Sequence, residues 1–170
     1  MIYNIHPIFV HVPIALLFLY SLIKIIPLKK WFPNVSWKDI ELVLLVIGIL
    51  GAFTALSTGE GAQHLSHANR QLVRVHAMFA GMATWLYVVL LAGEVSAFIN
   101  RKQYLVKIKF ISMILYHIEK IFCSPLVVII IAILALIAIS LTGLLGGIIV
   151  YGVNTDPFAN TVLHLLKITL

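Results

Sequence analysis

The sequence predicts an all-α integral membrane protein: an antiparallel four-helix bundle with both termini on the outer face, plus a cytoplasmic interfacial helix. Three observations predict it. Of 170 residues, 62% are hydrophobic and 11% charged, where soluble domains carry about a quarter charged residues. Four stretches, about 7–27, 39–58, 75–98 and 124–150, have the roughly 20 apolar residues needed to cross a hydrocarbon core. The twelve Lys and Arg lie between those stretches rather than in a basic stripe, so the net charge of +6 reads as topology and not as nucleic-acid contact.

The first stretch lacks the basic leader and small-residue cleavage site of a secretory signal and is long enough to span, so it is expected to stay in the mature protein. Backbone polar groups facing lipid must be satisfied within the segment, which makes each stretch helical, and short connections make neighbours antiparallel. Cytoplasmic loops carry the excess of Lys and Arg. The first connection and its flanks hold Lys24, Lys29, Lys30 and Lys38, and the third holds Arg101, Lys102, Lys107, Lys109 and Lys120, against Arg70, Arg74 and Lys167 on the other side. That bias places both termini outside.

Within the third connection, Leu105, Ile108, Ile111, Leu115, Ile118 and Phe122 recur at steps of three and four, an interfacial amphipathic helix over about 104–122 or else a polar-flanked extension of the fourth span. The tail, 151–170, opens on the turn-rich Asn154-Thr155-Asp156-Pro157 and continues with Leu163, Leu166 and Leu170 at helical spacing, so it is expected to fold back on the outer surface or dock on a partner. No repeat or linker divides the chain, and 1–170 reads as one membrane domain.

On this topology six of the seven histidines gather at the outer face: His6 and His11 on the first helix, His64 and His67 in the outer connection, His76 on the third helix and His164 in the tail. Ionisable residues are costly in hydrocarbon and point to function. Haem b, gripped axially by neutral imidazoles from two helices, suits the pattern, and His11 and His76 form the expected pair. Ala80 and Thr84 share a face with His76, and Ala15 and Phe18 share one with His11, flanking each ligand largely with small side chains. Arg70 and Arg74 could neutralise haem propionates, or act as ordinary interfacial anchors.

The ridge Gly51, Ala55, Gly59 and the pair Gly143, Gly147 suit close helix contact, with or without a cofactor. His6, ahead of Pro7, could simply sit at a helix mouth. His64 and His67, three apart, could be solvated loop residues or could join His6 in a copper or zinc site, although no HExxH motif accompanies them. His117 and His164 read as surface residues. Glu94 and Lys24 fall at matching depth and are expected to pair, and a proton relay is not expected for want of further acids within the membrane. Asp156 reads as a turn residue. The single cysteine, Cys123, excludes an intrachain disulfide and a Cys-based metal site within the chain.

The opening His6-Pro7, Val10-His11-Val12-Pro13-Ile14-Ala15-Leu16 resembles the HPxxVHxPIAL signature of the bacterial membrane family of domain of unknown function 2231. Thr58-Gly59-Glu60-Gly61-Ala62 is similar to its TGxxA segment, His76 falls where a histidine opens its third helix, and Thr142-Gly143 through Gly146-Gly147 to Val150-Tyr151 resembles its closing TGHxGGxxVY. The resemblance implies a plan like that of small membrane b-type cytochromes, in a bacterial inner membrane with periplasmic termini, working beside a c-type cytochrome or another redox protein. Leu144 stands where the closing motif often carries histidine, which favours one haem over two. The expected function is therefore a haem b electron-transfer subunit passing electrons between the quinone pool and an outer-face partner. A non-catalytic subunit of a larger membrane complex and an outer-face copper or zinc binder are the alternatives. No nucleophile, acid–base pair or nucleotide loop suggests a stand-alone enzyme.

Overall fold

The computed structural model describes residues 6–65, 68–101 and 109–168, and among them every element is helical. In chain order these are α1 (His6–Ile25), the single turn α2 (Leu28–Trp31), α3 (Trp37–Leu65), α4 (Arg70–Arg101), α5 (Lys109–Phe122), α6 (Pro125–Tyr151), a 3-10 turn at Val153–Thr155, and α7 (Ala159–Leu165). α3, α4 and α6 are long and apolar enough to cross a membrane, over Trp37–Gly59, Arg70–Asn100 and Pro125–Tyr151, and among the described side chains the 20-residue α1 offers the apolar run Phe9–Ile25.

Local chemistry sets several of these boundaries. Asn69 Oδ1 accepts from the Gln71 backbone N–H at 2.8 Å and caps the start of α4. Ser124 followed by Pro125 opens α6, since proline at a first helical position forfeits only an N–H that would lack a helical partner. α6 ends at Gly152, whose φ of +83° is open to glycine and costly for other residues. α3 and α4 both run further towards their shared connection than their apolar stretches indicate. The expected outer loop shrinks accordingly, because helical backbone satisfies its own hydrogen bonds whether or not its side chains are apolar.

α1 packs between α3 and α6, and α4 also packs on α3 and α6, so α1 and α4 occupy opposite corners of the assembly. Residue pairings fix the directions. His6 meets Thr58, Pro13 meets Gly51 and Lys24 meets Glu41, so α1 and α3 run antiparallel. Ser21 pairs with Tyr87 and Lys24 with Glu94 across the diagonal, so α1 and α4 run parallel. Leu17, Tyr20, Leu45, Ile49, Tyr87, Leu90, Ala135 and Ile139 fill the space between the four helices.

Glycine makes the α1–α3 contact close. A Cβ on Gly48 would lie 2.5 Å from Leu17 Cδ2, and one on Gly51 would lie 3.2 Å from the Pro13 ring. Small residues of this kind let membrane helices approach until dispersion holds them, where lipid supplies no hydrophobic drive. Gly143 and Gly147 do not act this way among the described residues, for a Cβ on either would meet none of them within 4 Å.

α5 lies against α4, with Glu119 Oε2 accepting from Asn100 Nδ2 and Phe122 seated on Gly93. Its stripe is placed as the periodicity predicts at Leu115, Ile118 and Phe122, while Ile111 is exposed. The first part of the expected interfacial segment, 102–108, lies outside the described residues. The tail folds back as expected: Ala159, Leu163 and Ile168 are buried against Leu72, Leu145 and Ile148, and Gln71 Nε2 donates to the Lys167 carbonyl at 3.1 Å.

Candidate functional site

Polar side chains gather at both ends of the assembly, which are named here for His6 and Lys24. At the His6 end the inward stripe of α1 runs through His6, Val10, Pro13, Leu17 and Ser21, at steps of three and four. His6 Nδ1 lies 3.0 Å from Thr58 Oγ1. That hydroxyl also lies within hydrogen-bond reach of the Thr54 and Ala55 carbonyls, so His6 and Thr58 belong to one polar cluster between α1 and α3. Burial holds this imidazole below its usual value of 6.5, against an opposing pull from the Ala55 carbonyl.

His76, in the second turn of α4, has its donor set by its partner. Its Nδ1 lies 3.0 Å from the Thr142 carbonyl, which can only accept, so Nδ1 is the donor and the neutral ring holds its lone pair on Nε2. The ring rests on α6 where a Cβ on Gly146 would come within 3.2 Å of Cε1. His6 fits against α3 in the same way, with Cε1 at 3.4 Å from a Cβ placed on Gly59. The two imidazoles thus come from opposite corners, each resting against a glycine of an intervening helix.

Helix phase sets His6 and His11 on different faces of α1. His11 sits on the exposed face of α1 with Val12, Ala15 and Phe18, which is the face expected to flank a ligand. One residue of helix turns a side chain by about 100°, so His11 cannot share the inward stripe that carries His6 and Pro13. His6, read from sequence as a helix-mouth residue, is the α1 histidine that faces inward. Arg70 and Arg74 lie exposed on the first turns of α4, at the same end as His76. The side chain of His64 and the whole of His67 lie outside the described residues. His164 is exposed on α7, and His117 Nδ1 donates to the Met113 carbonyl at 2.7 Å on the exposed side of α5. Asp156 accepts from the Phe158 N–H at 2.8 Å, the turn role its sequence suggests.

The Lys24 end is richer than the sequence indicated. Lys24 Nζ donates to Glu41 Oε2 at 2.7 Å and to Glu94 Oε1 at 2.9 Å, which realises the expected Lys24–Glu94 pair and adds a second acid. Lys29 Nζ approaches Glu41 Oε1 to 2.9 Å, an ionic contact without hydrogen-bond geometry. The Glu41 side chain is 3% exposed and that of Glu94 34%. Beneath them Ser21 Oγ and Tyr87 Oη share a 2.7 Å hydrogen bond, and the Tyr20 and Tyr87 rings meet edge-on at 6.1 Å. The expectation that no further acid lies inside the membrane stretches is corrected by Glu41. Its signal was present, as an acid falling within the second apolar stretch at the depth of Lys24.

Among the described residues no group of three or more His, Cys, Asp or Glu side chains converges as a metal site. Comparisons of the chain with protein-family models, with curated proteins and with solved structures return no match.

Proposed function

We propose that the chain is a membrane redox subunit in which His6 and His76 ligate one haem b, and that it passes electrons between the quinone pool and a partner on the outer face. One observation carries the reading: two inward-facing imidazoles at the same end of the assembly, each held at Nδ1 by an oxygen of a neighbouring helix, Thr58 Oγ1 for His6 and the Thr142 carbonyl for His76. A ligating histidine ordinarily has its second nitrogen bound to a hydroxyl, carbonyl or carboxylate, which sets the tautomer and the ring orientation. The donor set therefore fits a bis-imidazole haem, with His6 replacing His11 as the α1 ligand. When bound, such a haem supplies a one-electron carrier within the bilayer. The residues' own work is to hold the two rings against Gly59 and Gly146, while Arg70 and Arg74 offer positive charge at that end. The likeness of the opening motif and of the His76 position to the bacterial family supports the same reading.

The finer topology belongs with this proposal. α1 is the fourth span, the four spans form an antiparallel bundle in a bacterial inner membrane, both termini are periplasmic, and α5 lies on the cytoplasmic interface. Support comes from the Lys and Arg bias and from the apolar residues Ile111, Met113, Ile114 and Ile121 exposed on α5.

The test is the visible spectrum of the full chain made with ample haem. A Soret band that is lost in His76→Ala, lost or shifted in His6→Ala and kept in His11→Ala is the expected result. Absence of the band sinks the class, and loss in His11→Ala but not in His6→Ala restores the other pair. A second reading, a structural subunit of a larger membrane complex, is favoured by the open face around Gly143 and Gly147, where no described residue covers the glycines. Retention of the chain in a multi-subunit complex without haem would select it.

A further inference from the structure

The connection between α1 and α3 has no part in the redox reading, and its backbone is tied into a hook. Lys30 N donates to the Pro27 carbonyl and Phe32 N to the Leu28 carbonyl, both at 2.9 Å, and Trp37 N donates to the Val35 carbonyl at 2.8 Å. The Trp37 indole closes the hook, its Nε1 donating to the Phe32 carbonyl at 2.8 Å. On this frame Trp31 is 62% exposed and Phe32 55%, although both rings would gain by leaving water. From Lys24 to Lys38 the chain holds four lysines and no acid. Lys24 and Lys29 are set against Glu41 and Glu94, whereas the exposed Lys30 and Lys38 pair with no acid among the described residues. Asp39 follows in the first turn of α3, where the helix N-terminus itself favours negative charge. Further along, α3 exposes Ile40, Val43 and Ile47 at steps of three and four.

We propose that the hook over 27–38 is a docking surface for an anionic phospholipid. Lys30 and Lys38 take up the headgroup charge, Trp31 and Phe32 sit at the level of the glycerol, and an acyl chain lies along Ile40, Val43 and Ile47. Charge complementarity selects this occupant. A zwitterionic lipid cancels its phosphate with its own ammonium, so two cations without an acid partner favour the anionic lipid, each by roughly fivefold near the membrane surface. Depth agrees with charge. The hook leads directly into Trp37–Gly59, a stretch long and apolar enough to cross a membrane, and the boundary of such a stretch is where amphipathic aromatic rings collect. Because the hook is held by its own hydrogen bonds, little ordering is lost on binding. The proposal rests on reading α3 and α4 as membrane spans and is independent of haem.

The experiment uses the full chain in phosphatidylcholine vesicles, into which brominated phosphatidylglycerol or brominated phosphatidylcholine is titrated, bromine being a contact quencher of indole fluorescence. The share of Trp31 is the difference between the parent and Trp31→Phe. Trp85, 63% exposed midway along α4, is isolated in the same way through Trp85→Phe and reports on the span alone. The expected result is a preference of Trp31 for the anionic lipid of at least about fivefold, falling towards one in the double variant Lys30→Gln, Lys38→Gln and kept in Lys30→Arg, Lys38→Arg, with Trp85 quenched alike by both lipids. All these lysine positions are exposed, so the folded chain is retained. Three results overturn the proposal while leaving the spans intact: equal quenching of Trp31 by the two lipids, a preference that survives the double glutamine variant, or a Trp31 that neither lipid reaches while Trp85 is quenched. Failure of both lipids to quench Trp85 overturns the spanning reading and the proposal together.

Discussion

Lys24 holds α1 to both α3 and α4, and removing its charge is the sharpest perturbation the fold offers. In Lys24→Met the methylene stem is largely conserved, while the ammonium that bonds Glu41 at 2.7 Å and Glu94 at 2.9 Å is gone. Glu41, 3% exposed at its side chain, is left with Lys29, whose own side chain is 51% exposed. Breaking a buried pair by deleting one partner costs about 3–5 kcal/mol, because the stranded charge stays desolvated. The bond to Glu94, about a third exposed, adds less. At ~2–4 °C per kcal/mol for a chain of this size, the midpoint of thermal unfolding in detergent micelles should fall by roughly 6–20 °C. Glu41→Gln alone should also destabilise, by leaving Lys24 short of a partner. The double variant Lys24→Met, Glu41→Gln should recover a large part of the loss, since no buried charge is then stranded on that pair. A Lys24→Met midpoint within about 1 °C of the parent, or strictly additive single losses, would refute the reasoning and reduce the cluster to a surface ornament.

Other outcomes follow from close contacts and from titration. Gly48→Ala should destabilise by about 1–3 kcal/mol, because its Cβ would sit 2.5 Å and 2.7 Å from two carbons of fully buried Leu17, while Gly143→Ala and Gly147→Ala should be tolerated; parallel unfolding curves of the three variants check this. Burial depresses the His6 imidazole in the fold, so its neutral form is the one the fold prefers. That contribution is intact above the unfolded value near 6.5 and is lost as pH falls through the lowered folded value. Midpoints measured against pH should therefore decline on the acid side in the parent and decline less in His6→Gln. Gly146→Val should displace the His76 ring, now 3.2 Å from a Cβ at that position, and should shift or abolish any Soret band more than Gly147→Val does.

Charge and hydropathy made the helical class legible, because lipid leaves the backbone few alternatives and long apolar runs are therefore unambiguous. The Lys24–Glu94 pair was legible for the same reason: two opposite charges stranded in apolar runs at equal depth have little else to do. What depends on rotation about a helix axis was harder to read. His6 and His11 are both plausible ligands by composition, and only the phase set by Pro13 against Gly51 and Leu17 against Gly48 turns His6 inward and His11 outward. The Gly143–Gly147 pair shows the converse, since a small-residue spacing marks a surface fit for contact without saying whether that contact lies inside the chain. Glu41 is hard to read from sequence because it sits near the start of its stretch, where an acid passes for a flank. The turn chemistry at Asn69 and Asp156 is local, so it survived intact from sequence to structure.

The length of α6 has a consequence for the surrounding lipid. At 1.5 Å per residue its 27 residues rise about 40 Å, more than the ~30 Å of a typical hydrocarbon core, while the 20 residues of α1 rise about 30 Å. A hydrophobic segment longer than the core tilts or thickens the bilayer around it, at fractions of a kcal/mol per Å. α6 should therefore cross at a slant or gather a thicker annulus on its own flank, and it should settle more readily in thicker bilayers than a helix of the length of α1 requires.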